Sequence, residues 1–272
     1  MDAFNTAINW PLRWYYMAFP MIPMSALLAI LAFFAALGML WVFSKTSNPT
    51  RIRAVKRLVQ AHLLEMRLFR DEPAVVWKAQ GALLRSNARY IGLMLQPALW
   101  VALPLTLLLV HMDAFHGRSP LPLYQDAIVT MAMRAPFDEN AAAPVMTAPA
   151  GILAATPPVR VSAERQISWR IRPMASVSGS LRFVVNGETV DKKIVAGPVS
   201  RFIPGLRPSS LSDSILHPDE PRIPSSNVDW IDIRYPSTEM EIFGIRMHWV
   251  VWFTIISMLF ALLLRKRFGV VL

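Results

Sequence analysis

Hydrophobic and polar positions follow three different rhythms along this chain, and each predicts a different kind of structure. Three stretches have no polar stripe. Pro20 to Phe43 is uncharged over 24 residues, Ile91 to Val110 over 20, and Met247 to Leu264 over 18 with His248 as its single ionisable group. A hydrocarbon core about 30 Å thick is crossed by roughly 20 apolar helical residues, whereas a soluble helix keeps one polar face. Three membrane-spanning helices are therefore expected, the second carrying Pro97 and Pro104. A cleaved signal sequence fits the first poorly, because no basic cluster precedes it and its apolar core exceeds the roughly 7–15 residues of such a segment. Trp10, Trp14, Tyr15 and Tyr16 before it read as an aromatic belt at headgroup level.

Residues 44–90 change to a helical period. Asn48-Pro49-Thr50 can cap a helix start, after which Ile52, Val55, Leu58, Val59, His62 and Met66 recur mostly at three- and four-residue steps. Arg70-Asp71-Glu72-Pro73 supplies a break, and a second arm runs to about Ser86 with Val76, Ala79, Leu83 and Leu84 as its seam. A helical hairpin is expected here.

Residues 112–246 switch to a period of two. Ala127 to Met133 reads as a strand, and Gln166 to Arg172 alternates Ile167, Trp169 and Ile171 with polar residues. Ser180 to Val185 and Glu188 to Val195 flank Asn186-Gly187, a strong hairpin signal. Trp230 to Tyr235 adds a strand with Ile231, Ile233 and Tyr235 on one face. The Ala- and Pro-rich Ala135 to Pro158 and the Pro- and Ser-rich Pro204 to Ser226 read as long loops that could each hide an edge strand. The expected fold class is a membrane α-helical part, with three transmembrane helices and a cytoplasmic hairpin, plus an all-β immunoglobulin-like sandwich outside the membrane. Its divisions are an outer interfacial segment (1–19), a first span (20–43), the hairpin (44–90), a second span (91–111), the β domain (112–246), a third span (247–264) and a basic tail (265–272).

Charge turns this pattern into a topology. The net charge is +10, but residues 44–90 hold ten Lys or Arg against three acids, and Arg265, Lys266 and Arg267 follow the third span. Residues 112–246 carry fourteen bases and fourteen acids. Basic loops stay in the cytoplasm, so the amino-terminus and the β domain are expected outside and the carboxyl-terminus inside. The expected address is a bacterial inner membrane with a periplasmic β domain.

Candidate chemistry is sparse. The chain has no cysteine, which excludes disulfides, thiolate metal sites and thiol nucleophiles. His111, Asp113 and His116 have a spacing that could hold a metal, but a polar interfacial turn is the favoured reading. His217, Asp219 and Glu220 read as a solvated turn. There is no His-Glu-x-x-His, Gly-x-Ser-x-Gly or Gly-rich phosphate loop. No enzyme, cofactor, metal site or specific nucleic-acid recognition is expected. Trp249, Trp252 and Phe253 read as anchors of the third span at the outer interface.

An outward amino-terminus, a span, a basic cytoplasmic hairpin and a Pro-bearing second span together resemble the YidC/Oxa/Alb family of membrane protein insertases. The resemblance covers about residues 15–112. It is carried by Arg53-Ala-Val-Lys-Arg-Leu-Val-Gln60, the tip Arg70-Asp-Glu-Pro73, and Leu84-Arg-Ser-Asn-Ala-Arg-Tyr-Ile-Gly-Leu-Met-Leu-Gln-Pro-Ala-Leu-Trp-Val-Ala-Leu-Pro104. Asn87, in the position of the family's Asn-containing turn, and Gln96, Pro97 and Pro104 look like family counterparts. The three-span plan is most similar to the minimal archaeal YidC-like proteins and the third subunit of the endoplasmic reticulum membrane complex.

The resemblance implies a membrane protein insertase or chaperone with a hydrated groove among the spans. Groove candidates are Ser25, Gln96, Thr106, Thr254 and Ser257, which could equally serve helix–helix hydrogen bonding. Arg51, Arg53, Lys56, Arg57, Arg67 and Arg70 on the hairpin are candidates for contact with clients, ribosome or lipid. The implied partners are membrane lipids, nascent membrane-protein clients, and the ribosome or other membrane subunits. Two features depart from the pattern: bacterial members carry a groove arginine where Pro20 to Phe43 has no charge, and a β domain between the second and third spans is not a standard insertase feature. The competing reading is a membrane-anchored structural or binding protein that acts through its β-sandwich.

Overall fold

The structure, a computed structural model, describes residues 2–69, 71–136 and 144–269. The chain divides into two compact units, Met1–Ser25 with Leu108–Trp249, and Ala26–Leu107 with Val250–Leu272.

The helical unit is built around helix α2 (Met24–Thr46), helix α3 (Pro49–Leu68) and helix α4 (Pro73–His116), which follow helix α1 (Asp2–Ala18) in the chain. Asn48 caps α3, its side-chain oxygen accepting from the Arg51 amide at 3.1 Å. A short turn, with Glu72 N–H donating to the Phe69 carbonyl at 3.0 Å, leads into α4. The second arm does not end at about Ser86 as expected, because α4 runs unbroken for 44 residues, about 66 Å at 1.5 Å per residue. The second hairpin arm and the second span are therefore one helix. Asn87 sits inside it, exposed, and is part of no turn. Gly81 is tolerated within the same helix. On α3, Ile52 and Val55 are buried and Val59, His62 and Met66 half-buried, as the three-four spacing predicts. Leu58 and, on α4, Leu84 were expected in the seam, but they lie on the flanks of these faces and are exposed.

Both α2 and α4 are long and apolar enough to cross a membrane, and almost none of the apolar window of α4 is buried within the protein. Helix α6 (Trp249–Leu264) is apolar but only 16 residues long. The third stretch is shorter than expected because Met247 and His248 end a strand instead of opening the helix.

In the other unit, strand β1 (Ala127–Met133) has the predicted limits. Between it and the next long strand come three short ones, β2 (Val145–Thr147), β3 (Ile152–Ala154) and β4 (Val159–Val161). Two of these were hidden in the Ala/Pro-rich stretch, where three residues leave no period to read. The longer strands are β5 (Gln166–Pro173), β6 (Val177–Val185) and β7 (Glu188–Ala196). Asn186 and Gly187 both have positive φ, 48° and 82°, the two-residue turn that matches strand twist between β6 and β7. The Pro/Ser-rich stretch contributes strand β8 (Arg207–Pro208) and a short helix α5 (Asp213–Leu216), followed by β9 (Val228–Ile233) and the hairpin β10 (Glu239–Ile242) and β11 (Ile245–His248).

One antiparallel sheet has the order β3-β5-β1-β9-β8, with β4 also on β5, and a second has β2-β6-β7. Alternate residues of both sheets meet in one core: Val129, Met131, Ile167, Trp169, Ile171 and Ile231 from the first, Leu181, Phe183, Val190 and Ile194 from the second. The alternation read from the sequence is thus the pleat of two facing sheets.

Candidate functional site

The helical unit holds an open groove of about 770 Å³ lined by Val42 of α2 and by Gly92, Leu95, Gln96, Leu99, Trp100, Leu103 and Pro104 of α4. The α4 residues recur at three- and four-residue steps and so form one helix face. The only side-chain amide on that face is Gln96, and it is exposed. Pro97 and Pro104 lack an N–H, so the carbonyls of Leu93 and Trp100 lose their helical donors. An apolar trough with one amide can hold an apolar segment and satisfy an occasional polar group within it.

Of the five groove candidates, only Gln96 lines this trough. Ser25 is half-buried in the first turn of α2, and Thr106 is exposed on α4. Thr254 Oγ1 donates to the Val250 carbonyl at 2.8 Å, and Ser257 Oγ to the Thr254 carbonyl at 3.1 Å. Both hydroxyls are thus engaged by their own helix, as small polar residues in apolar helices commonly are. Among the family-like residues Pro104 lines the groove, whereas Pro97 is buried. Arg51, Arg53, Lys56, Arg57 and Arg67 are all exposed on α3; Arg70 lies outside the described residues.

The chemistry of the other unit corrects several expectations. His217-Pro218-Asp219-Glu220 is no solvated turn, since Asp219 and Glu220 are buried. Arg118 bridges Asp113 at 2.6 Å and Asp219 at 2.9 Å, and Asp219 also accepts from the Gly205 amide at 2.9 Å. A Cβ at Gly205 would fall 2.3 Å from the Arg118 guanidinium carbon, so any larger residue here would displace Arg118 from its present position. Lys192 is fully buried and donates to Glu220 and to the Gly205 carbonyl, while Glu220 accepts in addition from the Lys193 amide at 3.0 Å. Burial pushes the Lys192 ammonium below its ordinary pKa, against the opposing pull of Glu220. The pair pins the Pro-rich loop to β7. Lys192 was missed because a lysine at an inward strand position reads as a break in the pattern; its signal was that position, between Val190 and Ile194.

His111, Asp113 and His116 do not converge. Asp113 is taken by Arg118, and His116 Nε2 lies 2.7 Å from the Tyr16 hydroxyl of α1. His116 follows the apolar part of α4, residues 91–111, and belongs to the unit of the β domain. Burial lowers its pKa to about 4. It stacks on Trp249, and Tyr16 stacks on Phe115 with centroids 4.4 Å apart. Tyr16 is therefore buried and is no part of an exposed aromatic belt. Trp249, Trp252 and Phe253, expected as interfacial anchors, are buried within the protein as well. Among the described residues no three His, Cys, Asp or Glu side chains gather as a metal site would require.

Helix α1 is fixed to the Pro-rich loop through its polar side chains. Asn5 Nδ2 donates to the Ser214 carbonyl at 2.8 Å and Asn9 Nδ2 to the Pro218 carbonyl at 2.7 Å. Asp2 pairs with Arg222 at 3.3 Å, and the Arg13 guanidinium lies 3.9 Å over the Phe202 ring. Arg201 reaches the carbonyls of Tyr16, Phe19, Pro20 and Ile22, capping the end of α1 and gripping the link to α2. No family model, no curated protein and no solved structure matches this chain.

Proposed function

We propose that this protein is a YidC-like membrane protein insertase or chaperone. The observation that carries the reading is the α4 groove, where a single amide, Gln96, stands in an otherwise apolar trough beside two helix prolines. A client helix would rest on Leu95, Leu99, Trp100 and Leu103 while Gln96 takes one of its polar groups. That lowers the cost of carrying an unsatisfied group into hydrocarbon, several kcal/mol in order of magnitude. The basic face of α3 suits anionic lipid or ribosomal RNA, both drawn by the same charges.

The same reading places α2, α4 and α6 across a bacterial inner membrane as three spans. The amino-terminus and the immunoglobulin-like sandwich lie on the outer side and α3 in the cytoplasm. The residues supporting this orientation are the Lys and Arg of residues 44–90 and Arg265–Arg267.

Photoreactive groups at Gln96 and Leu103, with Thr254 for comparison, test the groove. Nascent-chain adducts at the first two positions support it; adducts with lipid alone reject it.

A second reading, a membrane-anchored binding protein, is favoured by a cleft of about 300 Å³ between α1 and the β domain, lined by Arg13 and Lys193 together with Ser178, Ser180 and Ser200. Deleting residues 120–240 would then abolish function while changes on α3 would leave it intact.

A further inference from the structure

Helix α1 is amphipathic in reverse. Its protein-facing side carries Asn5, Asn9, Leu12 and Tyr16, with the two asparagines only 5% and 6% exposed. Its outward side carries Phe4, Ala7, Trp10, Pro11, Trp14 and Met17, with Trp10 70% and Trp14 62% exposed. Both charges of the helix are half-buried and engaged by the β domain, Asp2 by Arg222 and Arg13 by Phe202 and the Asp219 carbonyl. The outward face is uncharged and mainly apolar and aromatic, with Thr6 at its edge donating its hydroxyl to the Asp2 carbonyl at 2.7 Å, the inverse of a helix that faces water.

We propose that this face lies in the interfacial layer of the bilayer and that α1 straps the β domain onto the membrane surface. The occupant is lipid for three reasons. Five residues, 19–23, separate α1 from α2, and the six steps from Ala18 to Met24 reach at most about 22 Å when extended, so the face ends close to the start of a helix fit to cross the membrane. In the sequence no charged residue intervenes between Trp14 and the end of the first apolar stretch at Phe43. Tryptophan is enriched at the headgroup boundary, where helices of this kind bury one face about 5–10 Å deep. The usual basic flank of such helices is absent, because here the β domain supplies the polar partner. Arg201, holding the carbonyls of Phe19, Pro20 and Ile22, then fixes the domain at the point where the chain enters the membrane. The inference rests on α2 being in the membrane and is independent of insertase activity.

The full chain is reconstituted into phosphatidylcholine vesicles with a single spin-labelled cysteine, which the cysteine-free sequence allows. Labels go at Ala7 on the outward face, Leu211 on an exposed loop of the β domain, and Phe34 on α2. The Ala7 label is expected to be accessible to oxygen and shielded from a water-soluble nickel chelate, at shallower depth than Phe34. The Leu211 label is expected to be open to nickel. Exchanging Trp10 and Trp14, both largely exposed, for serine should raise nickel access at Ala7 at least several-fold. A nickel-accessible Ala7 beside a shielded Phe34 overturns the strap while leaving the membrane helix intact. Nickel access at Phe34 overturns the membrane reading and the strap together. Dipolar broadening at Ala7 assigns the face to a second copy of the chain and also overturns it.

Discussion

The Tyr16 hydroxyl and His116 Nε2 lie 2.7 Å apart, joining the amino-terminal helix to the last turn of α4 across 100 residues of sequence. The contact is sealed by Phe115 and Trp249, and His116 Nδ1 finds no hydrogen-bond partner among the described residues. An imidazole held this way resists a second proton.

The first prediction is acid sensitivity. With a folded pKa of about 4 against 6.5, His116 stabilises the fold fully above pH 6.5, and that contribution disappears as the pH falls to about 4. The difference amounts to about 3 kcal/mol. Unfolding midpoints of the full chain in detergent should therefore drop between pH 6.5 and 4, and drop less steeply in His116→Phe. Equal slopes for the two proteins would refute the assignment.

A second concerns Lys192 and Glu220, both buried. Lys192→Met leaves the Glu220 carboxylate without its cation and should cost about 3–5 kcal/mol. Adding Glu220→Gln should recover part of that loss, because the amide no longer demands a buried countercharge. Near-UV circular dichroism during denaturation measures both; strict additivity would show that the two groups are uncoupled.

Gln96→Leu is expected to leave stability unchanged, since Gln96 is exposed on α4. Insertion of clients with a polar segment should fall several-fold while uniformly apolar clients still insert. An in vitro insertion assay with matched clients separates these outcomes, and equal loss for both client types would count against a role for the amide.

Topology is testable with little disturbance because the chain lacks cysteine. Ala61→Cys on α3 and Val199→Cys in the β domain both place a thiol at an exposed position. In sealed, oriented vesicles an impermeant maleimide should label them from opposite sides. Labelling from the same side would remove the proposed orientation.

Much of the local structure was legible because local periods cause it. The limits of β1 and the Asn186-Gly187 turn follow from alternation and from two residues that accept positive φ. The α3 face follows from its three- and four-residue steps. The joining of arm and span in α4 was not legible, because Gly81, Asn87 and Pro97 are each weak helix residues and only the length of the whole element outweighs them. Of the groove, Gln96 and Pro104 stand out in sequence as an amide and a helix breaker within an uncharged stretch. Its apolar wall does not, because a leucine facing a trough and one facing lipid are alike in sequence.

Sequence by itself determined the apolar stretches, the concentration of positive charge in residues 44–90 and the tail, and the pleat of the β domain, since composition and short periods dictate each. Tertiary structure decided which way polar groups point. Asn5 and Asn9 face inward on α1 while Trp10 and Trp14 face outward, and Asp219 and Glu220 leave the surface of a Pro-rich loop to meet Arg118 and Lys192. The physical reason is that a polar side chain can be buried only where a partner waits, and these partners lie 28 to 209 residues away in sequence.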